Sequence, residues 1–218
     1  RVRMVKIHAG TALGRIGPRA LPELLKLLED PDDGVREIAL HAFPDVGKEA
    51  LPPLAELLRD PKVETRRSAA EAVGKFGAGA AGMVPFLTSA LQDADEEVRD
   101  KAAFALGRIG PAASPAVPAL AASLKDDKMV YSTCYALGEI GPEAKDAVPA
   151  LLAFIGDEKR LDFIRAYAVL ALLKIAPEAK ASVPPRLLDA AKEAEKDKEE
   201  SFQRLMNMKG TDVNPVYR

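Results

Sequence analysis

A short helix-stopping signature recurs along this chain at nearly constant spacing. Gly14-Arg15-Ile16-Gly17, Gly74-Lys75-Phe76-Gly77, Gly107-Arg108-Ile109-Gly110 and Gly138-Glu139-Ile140-Gly141 all read Gly-x-x-Gly. Pro44-Asp45-Val46-Gly47 and Leu173-Lys174-Ile175-Ala176 fall in the same register. The stops end at 17, 47, 77, 110, 141 and 176, in steps of 30, 30, 33, 31 and 35 residues. A period of that size means a solenoid, in which each unit touches only its neighbours and the molecule offers a long surface instead of one pocket.

Each unit reads as two helices. In the fourth, Val98, Ala102, Ala105, Leu106 and Ile109 are spaced i, i+4, i+7, i+8, i+11, one face of a helix. Gly110 closes that helix, a residue free to take a left-handed conformation, and Pro111 stops it from continuing. Pro118 opens the second helix, where its missing N–H is harmless, and the helix runs to Asp126. Matching prolines stand at Pro22, Pro52, Pro85, Pro149 and Pro184, five residues past the stop in the first two units and eight in the others, so the first two turns are expected to be tighter. No β-branched run alternates with period two, and Ala and Leu dominate each unit. The expected fold is all-α.

Composition narrows the function classes. With 48% hydrophobic and 29% charged residues the chain can bury a core, and its net charge of −2 offers no global basic excess for nucleic acid. A local exception is the acid-free stretch 1–19, with Arg1, Arg3, Lys6, Arg15 and Arg19, which would suit an anionic partner. No apolar run reaches the roughly 20 residues of a membrane span. The single cysteine, Cys134, excludes an intrachain disulfide. The chain opens at Arg1, with Lys6 aligned to a mid-helix position, so sequence upstream is expected. A soluble cytoplasmic protein is the default expectation, with export left open.

The run Val-Arg, Ala-Ala-x-Ala-Leu-Gly-x-Ile-Gly-Pro, Ala-Val-Pro-Ala-Leu, Asp, strongest over 93–157, resembles HEAT repeats, in particular the short bacterial kind first associated with phycobilisome lyases. The resemblance implies a right-handed α-solenoid of about six two-helix repeats over 1–195. A charged capping helix over 196–209 and an irregular tail over 210–218 would follow. It also implies a ladder of Asp after each second helix with the basic residue of the next first helix: Asp30, Asp60, Asp93, Asp126 and Asp157 with Lys6, Arg36, Arg66, Arg99 and Arg165. An exposed pair of this kind contributes only ~0–1 kcal/mol, so the ladder would set the stacking angle more than the stability.

Residues that obey the repeat are committed to folding, so departures from it are the candidates for function. The fifth unit carries Met129-Val130-Tyr131 in place of Val98-Arg99-Asp100, which loses the ladder Arg and leaves Asp126 without its counterpart. Tyr135, one turn on, aligns with Phe104 and Leu170, so Phe104, Met129, Val130, Tyr131 and Tyr135 are candidate partner contacts. The outward positions of the second helices form another candidate. They change from Glu23, Lys26, Glu29, Glu56 and Arg59 to Phe86, Ser89, Ala119, Ala122, Ala150 and Ala153. In HEAT arrays that face is concave, and an apolar trough there would accept a helix. A third candidate is the tail with Tyr217, preceded by the charged stretch 192–200 and by Phe202, Leu205, Met206 and Met208.

Catalytic signatures are sparse. His8 and His41 fall at non-equivalent positions, and neither is followed by Glu as in the iron-binding HEAT-type deoxyhypusine hydroxylases. Cys134 aligns with Ala103, a buried position without a neighbouring base. With no Trp and no basic groove, the chain departs from HEAT-like alkyl-DNA glycosylases. The expectation is a non-catalytic protein-interaction scaffold or subunit of a larger assembly, without cofactor, metal or membrane span. The alternative is an enzyme or accessory of the bilin-lyase type.

Overall fold

The computed structural model describes residues 2–196, with side chains from residue 8 onward. Among the described residues twelve α-helices alternate as six pairs: α1 (Val2–Gly14) and α2 (Leu21–Leu27), α3 (Asp33–Val46) and α4 (Leu51–Leu57), α5 (Val63–Lys75) and α6 (Val84–Ala90). The second half adds α7 (Glu96–Ile109) and α8 (Val117–Ser123), α9 (Val130–Ile140) and α10 (Val148–Gly156), α11 (Asp162–Ile175) and α12 (Pro185–Lys196). The expected capping helix over 196–209, the tail over 210–218 with Tyr217, and the side chain of Lys6 lie outside the described residues, apart from Lys196 itself.

The glycine at each stop takes a backbone that other residues avoid. Gly110 sits at φ +75°, ψ −142° and Gly141 at φ +73°, ψ −143°. Both are positive-φ positions as expected, but they lie in the mirror-image extended region and not in the left-handed helical one. That geometry ends the first helix and turns the chain into a 3-10 segment running toward the second helix. The sixth stop has Ala176 instead, which leaves the helix at φ −142°, ψ 79° without needing a positive φ. The two tighter turns are present: the 3-10 segments Gly17–Ala20 and Lys48–Ala50 compare with Gly77–Met83, Gly110–Ala116 and Gly141–Ala147. The extra residues of the later units make a further 3-10 turn. Pro22, Pro52, Pro85, Pro118 and Pro149 each stand in the first turn of their helix, whereas α12 begins on Pro185 with Pro184 immediately before it.

Five of the second helices have only seven to nine residues, too short to persist alone. Burial holds them. Leu24, Leu54, Leu87, Leu120, Leu151 and Leu187, one from each second helix, are each 0–1% exposed. Burying such a side chain supplies about 1.5–3 kcal/mol. First helices stack on first helices, and each second helix from α2 to α10 packs chiefly on the first helix of the next unit. The stack is close because small residues face it: a Cβ on Gly107 would lie 2.7 Å from the Tyr135 ring and 2.9 Å from Ala136 Cα, and one on Gly74 would lie 3.4 Å from Ala105.

Candidate functional site

Of the three candidate surfaces read from the sequence, the tail lies outside the described residues. The ladder, expected to be structural, is wired differently from the expected pairing. All five Asp side chains first serve their own turn, accepting the N–H two residues on: Asp30 from Asp32, Asp60 from Lys62, Asp93 from Asp95, Asp126 from Lys128 and Asp157 from Lys159. Arg66 Nη1 donates to the carbonyl of Asp60 at 3.0 Å, and Arg99 Nη1 to that of Asp93 at 2.9 Å. The ion pairs run one step further on, Arg66 Nε to Asp93 Oδ2 at 2.7 Å and Arg99 Nη2 to Asp126 Oδ2 at 3.0 Å. Each arginine therefore ties the turn before it to the turn after it. Asp126 has Arg99 as its partner despite the loss of the next Arg. Alongside, Arg67 makes a two-point pair with Asp95, which also caps α7 by accepting from Val98 N, and the Asp95 carboxyl is held at about 2 by that guanidinium.

The ends of the ladder depart from the pattern. Arg36 donates to the Asp30 carbonyl but pairs with Asp33 in its own helix. The expected pair Asp157–Arg165 does not form. Arg165 lies eight residues after its Asp, where the other units have six, and it reaches Ile155 instead, its Nε donating to that carbonyl at 2.7 Å while Nη1 meets Asp162 Oδ1 at 3.0 Å. Asp157 pairs with Arg160, supplied by the longer turn, at 3.1 Å.

One of the other two candidates is the aromatic strip on the first helices. Met129 and Val130 are 1% and 2% exposed, so these two candidates are core residues and not partner contacts. Met129 immediately precedes α9 and Val130 begins it, at the positions that align with Val98 and Arg99 in the unit before. Tyr131, Tyr135 and Phe104 are half-buried and packed on one another across units. The Phe104 and Tyr135 rings stack at 4.4 Å, and Phe104 and Tyr131 are 6.2 Å apart. Tyr131 meets Tyr167 of α11 edge to face at 4.9 Å. Such pairs contribute roughly 0.5–1.5 kcal/mol each beyond area burial. Burial pushes the Tyr131 phenol up to about 12 and raises that of Tyr135 as well. The strip thus joins three units. Of its α11 members the sequence reading had Leu170 but missed Phe163 and Tyr167, although the i, i+4, i+7 spacing of the three in place of Glu97, Lys101 and Phe104 was there to be seen. Phe163 is 42% exposed. An apolar groove between α9 and α11 is lined by Tyr131, Tyr135, Tyr167, Leu170, Lys174 and, from α12, Ala194.

The other candidate is the solvent face of the second helices. Ser89, Ala122 and Ala153 are exposed and Phe86, Ala119 and Ala150 half-buried, at positions that the earlier units fill with the exposed Glu23, Lys26 and Glu56; Glu29 and Arg59 stand one turn further on, where units three and four have Gln92 and Lys125. At the junction the Arg59 guanidinium lies 5.3 Å above the Phe86 ring. The row passes into Arg186 and Asp189 of α12.

Cys134 is 3% exposed and burial pushes its thiol up, which opposes thiolate chemistry. His41 Nε2 lies 3.8 Å from Glu37 Oε1. Among the described residues no group of three or more His, Cys, Asp or Glu converges, and no described helix is long and apolar enough to cross a membrane.

Comparison with known proteins agrees with this architecture. No curated protein sequence matches the chain. Among solved structures, the fold is similar to a designed armadillo repeat protein in complex with the peptide (KR)4, at 20% identity and a TM-score of 0.53, over 78% of this chain and 91% of that one. It is also similar to importin beta, at 23% identity and a TM-score of 0.57, over 81% of this chain and 26% of the importin. The family model for HEAT repeats matches residues 3–74 and again 51–131, more than half of the chain. Those stretches hold four of the glycine stops at positive φ and the two interlocked Arg–Asp rungs, so the match falls on the residues that build the stack, and the chain belongs to the HEAT-repeat family.

Proposed function

We propose that this protein is a non-catalytic interaction scaffold that holds a helical segment of a protein partner along the solvent face of its second helices, over units three to five. The observation that carries this reading is the change along one row of equivalent positions. Glu23, Lys26 and Glu56 stand there in units one and two, and Phe86, Ser89, Ala119, Ala122, Ala150 and Ala153 in units three to five. Methyl side chains leave a smooth strip on which the larger apolar side chains of an amphipathic helix can seat at i, i+3, i+4 spacing. The flanking Arg59 and Arg186 can meet acidic ends of such a helix. The structurally similar designed armadillo protein was solved with a bound peptide, which supports this use of the fold.

The test compares proteins captured from the source lysate by the intact chain and by the variants Ala122→Arg/Ala153→Arg, Tyr131→Ala and Glu23→Ala. The trough reading expects a stoichiometric partner that the double arginine variant loses at unchanged thermal stability and that Glu23→Ala keeps. A partner retained by the double variant and lost with Tyr131→Ala would move the site to the aromatic strip. Retention by both would sink each surface. The bilin-lyase alternative rests on consensus residues that the stack itself uses, and bound tetrapyrrole absorbance is the outcome that would favour it.

A further inference from the structure

We propose that the partner helix held along units three to five is an acidic one, with one carboxylate set against Arg59 and a second, about three turns on, against Lys125. The inference rests on the trough reading and names the chemistry of its partner. It begins from the three rows that the second helices turn to solvent. Pro52, Glu56 and Arg59 are spaced i, i+4, i+7 along α4 and the turn after it. Pro85, Ser89 and Gln92, then Pro118, Ala122 and Lys125, then Pro149, Ala153 and Gly156 repeat that spacing in the next three units, and all of these residues are exposed. The proline row carries no charge, and the middle row carries none after Glu56 of unit two. The last row alone is basic, with Arg59 and Lys125 two units apart and the uncharged Gln92 between them.

These two cations are not spent on the fold. Glu29, the equivalent of Arg59 in unit one, is paired with Lys62 at 3.2 Å. The carboxylates of the neighbouring turns are held as well: Asp93 by Arg66 at 2.7 Å, Asp126 by Arg99 at 3.0 Å and Asp157 by Arg160 at 3.1 Å. Among the described residues neither Arg59 nor Lys125 has a carboxylate within ion-pair distance. The helix ends do not demand a cation here, since equivalent positions carry Glu29, Gln92 and Gly156. Arg59 is also aimed: its guanidinium lies 5.3 Å above the Phe86 ring, and both line a cleft with Ser89 and Ala90 at the head of the apolar strip. Stacked helices stand 8–10 Å apart, so two units separate the cations by about 16–20 Å, or about 11–13 residues of a helix. Residues i and i+11 lie on the same flank of a helix. An amphipathic helix can therefore rest its apolar face on the methyl row while acids at that spacing meet both cations. A basic helix in the same place would meet two like charges instead.

The experiment measures binding of three fluorescent peptides to the full chain by anisotropy at low salt. Each is an amphipathic Leu/Ala helix of about 18 residues, identical except for Glu, Gln or Lys at two flank positions about 11 apart. The Glu peptide should bind most tightly and the Lys peptide about tenfold more weakly, with Gln between them and the gap narrowing as salt rises. Arg59→Glu/Lys125→Glu should invert that order. Arg19→Glu/Lys180→Glu, which reverses two exposed cations off this face, should keep it. Equal affinity for the three peptides, lost in Ala122→Arg/Ala153→Arg, would overturn the acidic partner and leave the trough in place. Binding of none of them, or binding that survives Ala122→Arg/Ala153→Arg, would overturn both.

Discussion

Gly107 shows how a single residue serves two masters in this fold. As the first glycine of its Gly-x-x-Gly it has an ordinary helical backbone, and replacing it by Ala would by itself favour the helix by about 1 kcal/mol. Its position against α9 reverses the sign, because the new methyl would lie 2.7 Å from the Tyr135 ring and 2.9 Å from the Ala136 backbone. A ring can swing, but a helix backbone has to translate. Gly107→Ala is therefore expected to lower stability by about 1–3 kcal/mol in chemical denaturation. Gly156→Ala, with nothing within 4 Å of the added Cβ, should change it by less than about 1 kcal/mol. The second glycine of the motif was legible in the sequence, because helix termination is a local property followed by Pro111. The first was not, since its reason lies in the next repeat. Met129 and Val130 were misplaced on the surface for the same cause: losing Arg99's counterpart signals a change of environment without saying whether the new side chains turn in or out.

Among the elements, the second helices from α2 to α10 were legible down to their prolines, because each start is written by local pattern, whereas α12 begins one residue late, on Pro185. The ladder was legible as residue types but not as wiring. Its carboxylates sit in turns whose length decides which arginine they meet, and the two extra residues between Asp157 and Arg165 are enough to re-route a guanidinium. Arg165 is 2% exposed and holds the Ile155 carbonyl at the end of α10, so it closes the seam between α10 and α11. Arg165→Ala removes that donor and leaves a buried acceptor unsatisfied. The expected loss is about 2–4 kcal/mol. Lys at this position should recover only part of it, because a single ammonium cannot reproduce a planar guanidinium that contacts both Ile155 and Asp162. Arg36→Ala, on the more exposed rung, should cost less than about 1 kcal/mol. Equal losses for Arg36→Ala and Arg165→Ala would show that the seam does not depend on the buried arginine.

At the scale of the whole array, the carboxyls lowered by Arg pairing and the aromatic strip lie in different units of the solenoid and predict different pH limits. Units three and four are tied by Arg66–Asp93, Arg67–Asp95 and Arg99–Asp126, whereas units four to six are joined on the same helices by Phe104, Tyr131, Tyr135 and Tyr167. Asp95 has its carboxyl lowered from 3.8 to about 2, chiefly by the Arg67 hydrogen bond, and Asp93 is lowered by Arg66 in the same way. A carboxyl depressed in the folded state contributes fully above its unfolded value near 4 and loses that contribution as the pH falls toward 2. With Asp95 only partly buried, this amounts to about 1–2 kcal/mol. Tyr131 has the opposite sign of dependence. Its phenol is raised from 10 to about 12 by burial, so its contribution is complete below pH 10 and is lost as the pH climbs from 10 to 12. Because a solenoid couples only neighbouring units, each loss should open the stack where its groups lie. Hydrogen exchange at pH 3 is expected to speed up first in α5 and α7, and at pH 11 first in α9 and α11. Arg67→Ala should flatten the acid limb and leave the alkaline one in place, while Tyr131→Phe should do the reverse. A uniform rise in exchange along all six units at either pH would mean that the array melts as one block, and that these local ties do not set its limits.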